Sequence, residues 1–134
     1  MVKIKRVYDR AERGDGERIL VDRLWPRGLS KRDAAVDVWM KDLGPSHELR
    51  RWFGHDRRRW TEFRRRYVRE LRSQRDPLMA IARKATRGAV TLLFGARDPD
   101  HNQAVVLKGA IERLQRARGR APHDGRAPGR PVAR

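Results

Sequence analysis

The chain has 134 residues, enough for one hydrophobic core and a terminal extension. It contains no cysteine, which excludes disulfides, zinc–thiolate sites and thiol nucleophiles. Its 34 basic and 17 acidic residues give a formal charge of +17; such an excess attracts polyanions by counterion release, and the competing accounts are a compositional drift toward arginine codons and the placing of many arginines on one solvated helix face.

Val2-Lys3-Ile4-Lys5-Arg6-Val7-Tyr8 alternates apolar and basic residues, the pattern of a half-buried strand. Residues 9–16 form a polar turn. Arg18-Ile19-Leu20-Val21 then reads as a more buried strand entering the turn Asp22-Arg23-Leu24-Trp25-Pro26-Arg27-Gly28, where proline and glycine break regularity. Ser30 caps a short helix over Lys31 to Ala35. Val36 to Lys41 alternates again and reads as a third strand, with a longer helix from Ser30 as the competing reading. Leu43-Gly44-Pro45-Ser46 ends it.

From Ser46 the pattern turns helical. Ser46 caps a short amphipathic helix carrying Leu49, Trp52 and Phe53. Asp56 opens a second helix, in which Trp60, Phe63, Tyr67 and Leu71 recur at helical spacing. That spacing alone explains the aromatic stripe as core. The rest of this helix bears Arg57, Arg58, Arg59, Arg64, Arg65, Arg66, Arg69 and Arg72, partly offset by Glu62 and Glu70. Asp76-Pro77 supplies a cap and a first-turn proline for a further helix, with Gly88 as its terminator.

Ala89-Val90-Thr91-Leu92-Leu93-Phe94 is an almost unbroken apolar run, as suits a central strand buried on both faces. After Gly95-Ala96-Arg97-Asp98-Pro99 the last helix is expected from about Asp100 to Arg116, capped by Asp98 or Asp100. Residues 1–117 form the domain on this reading. Residues 118–134, rich in Arg, Pro and Gly without an apolar pattern, read as a disordered tail. Strands separated by helices predict one small α/β domain: a mostly parallel sheet of about four strands with helices on both faces, a Rossmann-like three-layer arrangement. The apolar runs are too short to cross a bilayer and no apolar leader opens the chain, so a cytoplasmic protein without a membrane partner is expected.

Ligands of such sheets bind beyond the carboxyl ends of the strands. Three polar turns are predicted to gather there: Asp22 to Gly28, Lys41 to Ser46, and Gly95 to Asn102. The last is a strand–turn–helix junction, which aims free backbone N–H groups at one point and suits an anion. Arg23 and Arg27, four apart on a turn, can reach one phosphate or carboxylate with bidentate guanidinium forks, and Trp25 between them can stack on a ring. The competing reading pairs Arg23 with Asp22 or Asp98 and leaves Trp25 as a lid on the core. The candidate ligand-binding set is Arg23, Trp25, Arg27, Lys41, Arg97, Asp98 and Asn102. Asp22 and His101 are candidates for a general base.

No cofactor or metal is called for. His47, His55, His101 and His123 show no ligand spacing, Arg13-Gly14-Asp15-Gly16 lacks the length and ending of a Walker loop, and there is no dinucleotide-binding glycine fingerprint. Ser30, Ser46 and Ser73 have cap or surface explanations, so no serine triad can be assembled.

Four segments carry a resemblance: Val21-Asp22-Arg23-Leu24-Trp25-Pro26-Arg27-Gly28; Trp39-Met40-Lys41-Asp42-Leu43-Gly44-Pro45-Ser46; Glu48-Leu49-Arg50-Arg51-Trp52-Phe53 with His55-Asp56; and Leu92 to Leu107. In these the chain resembles the YeaO-like branch of domain-of-unknown-function family 488 over most of residues 1–117. The resemblance implies a small cytoplasmic α/β domain and carries no assigned activity. Other branches have a cysteine at the end of the last strand and Cys-His-Arg at the start of the last helix. Here those stretches read Phe94-Gly95-Ala96-Arg97 and Asn102-Gln103-Ala104, so thiol chemistry does not transfer. The leading expectation is a domain that binds an anionic partner, a nucleotide or nucleic acid. A small nucleotide- or phosphoester-processing enzyme is the alternative and a DNA-binding regulator the third, although no helix-turn-helix pattern stands out. The oligomeric state is not legible.

Overall fold

The structure, a computed structural model, describes residues 1–120. Strands β1 (Val2–Arg6), β2 (Glu17–Leu20), β3 (Val38–Trp39) and β4 (Val90–Phe94) form one sheet in the order β1-β4-β2-β3, with every neighbouring pair parallel. The apolar run of β4 lies between two partners and is buried throughout, as its composition requires. Leu92 stands opposite Ile4 on one side and Ile19 on the other.

Successive side chains of a strand point to opposite faces, and the two faces are covered unequally. Ile19, Val21, Leu92 and Phe94 pack into the large core beneath α2 (His47–Phe53), α3 (Trp60–Glu70), α4 (Arg75–Arg87) and α5 (Gln103–Arg120). Phe63 and Tyr67 of the aromatic stripe are buried there, with Phe63 stacked on Phe53 at 4.3 Å; burying each such side chain is worth roughly 1.5–3 kcal/mol. On the other face Val7, Leu20 and Leu93 meet Ala34 of the four-residue α1 (Lys31–Ala34), with Trp25, Leu29 and Val36 around them. The three-layer α/β fold is as predicted, with one thick helical layer and one thin one.

The thin layer also holds a buried polar cluster. Arg18 Nη1 lies 2.6 Å from Asp15 Oδ2 and donates through Nη2 and Nε to the Ala34 and Ala35 carbonyls. Lys5 donates to Asp15, and the Thr91 hydroxyl donates to the Asp15 carbonyl at 2.6 Å. Gly16, at φ 63°, permits this turn because a Cβ there would lie 2.0 Å from the Ala89 carbonyl oxygen.

Ser30, Ser46 and Asp56 cap as expected, each side chain accepting a backbone N–H of the following turn. The third strand is only two residues long. A 3-10 turn at Lys41–Leu43 takes up the remainder ahead of Gly44-Pro45. Helix α4 begins at Arg75, which places Asp76 inside its first turn instead of at the cap. The cap of α5 is Asn102, not Asp98 or Asp100: its Oδ1 accepts the N–H groups of Ala104 and Val105, and its Nδ2 donates to the Asp98 carbonyl. Asp98 instead closes the preceding turn through the amides of Asp100 and His101. Helix α5 therefore starts later than expected, and it runs to Arg120, beyond the boundary placed at 117. The remainder of the expected disordered tail, 121–134, lies outside the described residues.

Candidate functional site

All four strands run the same way, so the segments after β1, β2 and β4 emerge along one edge. The chain leaves β2 toward α1 on the thin face and leaves β4 toward α5 on the thick one. Neighbouring strands whose connections part to opposite faces leave a crevice between their carboxyl ends. A crevice of about 510 Å³ opens at this place, with Tyr8 following β1, residues 22–27 following β2, and Gly95 and Ala96 following β4. Residues 101–103 at the start of α5, Arg50, Arg51 and Phe53 of α2, and His55 just beyond it close its other sides.

Asp22 is its acidic member. Its Oδ2 accepts the Gly95 N–H at 2.9 Å, its Oδ1 accepts the Gln103 side-chain amide, and its carbonyl accepts the Trp39 indole N–H at 2.8 Å. Burial pushes the carboxyl up to about 6, against the opposing pull of the Gly95 and Gln103 hydrogen bonds and the nearby Arg50 charge. Gly95 is required by this contact, since a Cβ would stand 2.8 Å from Asp22 Oδ2.

The cations around it differ in how far they are committed. Arg23 donates through Nε to the Pro45 carbonyl at 2.8 Å and lies 3.9 Å from Asp42, so it ties two turns together and pairs with neither Asp22 nor Asp98. The side chains of Arg27, Arg50, Arg51 and His55 make no hydrogen bond or ion pair among the described residues. Arg50 is half-buried and the other three are exposed. His55 sits at φ 58°, directly after Gly54 at φ 52°. Gly54 is the left-handed cap of α2, and a second left-handed residue, a conformation that His adopts more readily than most non-glycine residues, brings the imidazole to the crevice.

His101 also lines the crevice, edge-on to Trp60 at 5.2 Å. Its Nδ1 lies 3.0 Å from Asp98 Oδ2. The Asp100 amide, with Arg57 and His101 alongside, holds the Asp98 carboxyl well below its ordinary value. An ionised carboxylate only accepts, so Nδ1 is the donor in this contact.

Of the residues singled out from sequence, Asp22, Arg23, Trp25, Arg27, His101 and Asn102 share this crevice. Lys41, Arg97 and Asp98 do not line it. Lys41 follows the outer strand β3 and lies over the Trp39 ring at 5.5 Å, Arg97 is exposed, and Asp98 is taken up by Arg57, His101 and its own turn. Trp25 lines the crevice while also roofing the small core, with its indole N–H given to the Leu29 carbonyl at 2.7 Å. Asn102 is buried and spent on its cap.

The expected cradle of free amides is corrected by the same geometry. The N–H groups of Gly95, Asp100, His101, Ala104 and Val105 are already taken by Asp22, Asp98 and Asn102. Side-chain cations supply the positive charge instead. Sequence reading missed Tyr8, Arg50, Arg51, His55 and Gln103; Gly54-His55 after a capped helix was the one local signal of a special backbone. Among the described residues no group of three or more His, Asp or Glu side chains is placed to hold a metal ion, and no helix is long and apolar enough to cross a membrane.

Fold and crevice together define a small parallel α/β domain with a basic crevice at the carboxyl edge of its sheet. The chain belongs to the YeaO-like DUF488 family: the family model described as "Inactive DUF488-N3 subclade" matches residues 1–132. The uncharacterized protein YeaO of Escherichia coli strain K12 is 44% identical over 113 residues, spanning 84% of this chain and 98% of that protein. The uncharacterized protein Rv3073c of Mycobacterium tuberculosis strain H37Rv is 42% identical over 107 residues, spanning 79% and 89% respectively. No solved structure matches.

Proposed function

We propose that the domain binds an anionic ligand, a nucleotide or the end of a nucleic-acid strand, in the crevice at the carboxyl edge of its sheet. The observation that carries this reading is that Arg27, Arg50 and Arg51, which make no ion pair among the described residues, stand with His55 around one concave site. A guanidinium that forms no hydrogen bond to a carboxylate among the described residues has its bidentate fork available for phosphate. The crevice volume falls within the range of small-molecule sites, and the rings of Tyr8, Trp25 and Phe53 supply apolar wall. A cytoplasmic setting, where nucleotides are abundant, belongs to the same proposal.

Titration calorimetry of the full chain with pyrophosphate, nucleotides and short oligonucleotides at several salt concentrations tests it. Binding that weakens with salt and is lost in the Arg50→Ala, Arg51→Ala double variant is the expected result. Absence of binding at low salt, or equal binding by the double variant, rejects it.

One observation favours a catalytic reading. Asp22, its carboxyl raised by burial, shares the crevice with His101, whose Nδ1 is engaged by Asp98, and a carboxyl beside an imidazole is a common pair for proton transfer. The description of the matching subclade as inactive weighs the other way, and binding is the reading we retain. Turnover of a phosphoester that Asp22→Asn abolishes would reverse that choice.

A further inference from the structure

Resting on the anion-binding reading, we infer that the crevice takes a ligand with two chemically different ends: a phosphate held by Arg27, Arg50 and Arg51, and a hydrogen-bond donor group presented to Asp22. A nucleoside monophosphate has this chemistry.

The argument starts from the carboxylate. A crevice meant for phosphate alone gains nothing from a carboxylate in its lining, because like charges repel across a partly desolvated gap. Asp22 is nevertheless held there by two neutral donors, the Gly95 amide and the Gln103 side chain. Gly95 leaves the space that the carboxylate occupies. No cation is in hydrogen-bonding contact with Asp22 among the described residues, and Arg50 acts on it only through space. An ionised carboxylate has about four lone-pair positions, and the two protein donors use one on each oxygen. The remaining positions can accept from hydroxyl or amino hydrogens of a ligand.

Asp22 and Arg27 come from the turn after β2 and Arg50 and Arg51 from helix α2, and all of them border one cavity of about 510 Å³. That volume accommodates a molecule carrying both a phosphate and a donor-bearing ring system. On the cavity wall, Trp25 is fixed by its bond to the Leu29 carbonyl and by edge-on contact with Trp39 at 5.4 Å. Tyr8 is fixed by its hydroxyl donating to the Arg27 carbonyl at 2.8 Å. These are rigid walls for a ring, and they require no ordering when it binds.

The test is titration calorimetry at pH 7.5 with AMP, 2′-deoxy-AMP, IMP, ribose 5-phosphate, pyrophosphate and adenosine, on the full wild-type chain and on Asp22→Asn. AMP is expected to bind roughly tenfold tighter than pyrophosphate, as a satisfied charged hydrogen bond gives. Asp22→Asn should remove most of that preference while pyrophosphate binds as well as before, or better, because a repelling charge has gone. Loss of affinity in 2′-deoxy-AMP identifies a sugar hydroxyl as the donor; loss in IMP with ribose 5-phosphate also weak identifies the base amino group. Equal affinity of AMP and pyrophosphate for wild type overturns the inference while leaving the anion-binding reading intact, and it does so without any variant. So does an Asp22→Asn variant that melts normally and weakens both ligands equally. If no phosphate compound binds wild type, the parent reading falls, and this one with it.

Discussion

Two buried or half-buried aspartates, one on each side of this molecule, show how the same side chain serves structure in one place and is left available in another. Asp15, under the thin layer, is surrounded by Lys5, Arg18, the Glu12 amide and the Thr91 hydroxyl at its carbonyl. Burial alone would raise its carboxyl, but the Glu12 amide, Lys5 and Arg18 together hold it below the ordinary value. Asp22, at the carboxyl edge, has only neutral donors in contact, and burial wins. The guanidinium that could have neutralised it, Arg50, stands off and lines the same crevice. Charges that are matched hold the sheet to its turns. Charges gathered but unmatched leave free energy for a ligand to collect.

The comparison is broken most forcefully at Arg18. Arg18→Ala removes the bonds to the Ala34 and Ala35 carbonyls and leaves Asp15 with Lys5 as its one cation among the described residues, beside the Glu12 amide. Breaking such a buried pair costs about 3–5 kcal/mol, so denaturant unfolding should show a loss of about 3 kcal/mol. Nucleotide affinity, measured where the variant is still folded, should be unchanged. A loss under about 1 kcal/mol would mean that the pair is not the structural element described.

The second effect is in the pH dependence. The folded chain holds the Asp22 proton more tightly than the unfolded chain, with a pKa of about 6 against an ordinary 3.8. Its stabilising contribution is therefore complete below 3.8 and is lost as pH rises through about 6. Asp15, with its carboxyl lowered, behaves oppositely and loses its contribution only on acidification. Subtracting the stability curve of Asp22→Asn from that of wild type should isolate a decline on the order of 2 kcal/mol between pH 4 and pH 7. Parallel curves would contradict the environment assigned to Asp22.

A smaller effect comes from Gly95, whose backbone is not in the left-handed region and tolerates alanine. The new methyl lies 2.8 Å from Asp22 Oδ2, so Gly95→Ala should displace the carboxylate and cost about 1–2 kcal/mol by thermal melting, with weakened AMP binding. The smallest effect on stability is expected where the effect on binding is largest. The Arg50→Ala, Arg51→Ala double variant should melt within about 0.5 kcal/mol of wild type. If it is strongly destabilised, those arginines belong with Arg18 as structural residues.

Much of the fold was legible because its signals are local. Ser30, Ser46 and Asp56 precede their helices directly, and the alternation of β1 and the apolar run of β4 lie within a few residues. The crevice was half legible: the turns at 22–28 and 95–102 do converge. Arg50 and Arg51 were hidden because on a helix they look like any solvated face, and only the crossing from β3 to β4 brings α2 over the crevice. Asn102 was read as a ligand group because three cap-competent residues, Asp98, Asp100 and Asn102, crowd one turn, and sequence does not say which is in register. Asp15 reads from sequence as part of a polar turn and Arg18 as the start of a strand, and nothing local marks them as a buried pair. Its burial depends on Thr91, seventy-six positions away.

The central claim is that anions are met at the carboxyl edge of the sheet and not on the outer face of α3, where Arg65 and Arg66 already share Glu62. Following backbone amide resonances of the full chain during an AMP titration tests this directly. The expected result is a set of shifts at residues 22–28, 50–55 and 95–103. Shifts confined to residues 57–72, or none at all at saturating nucleotide, would contradict the account.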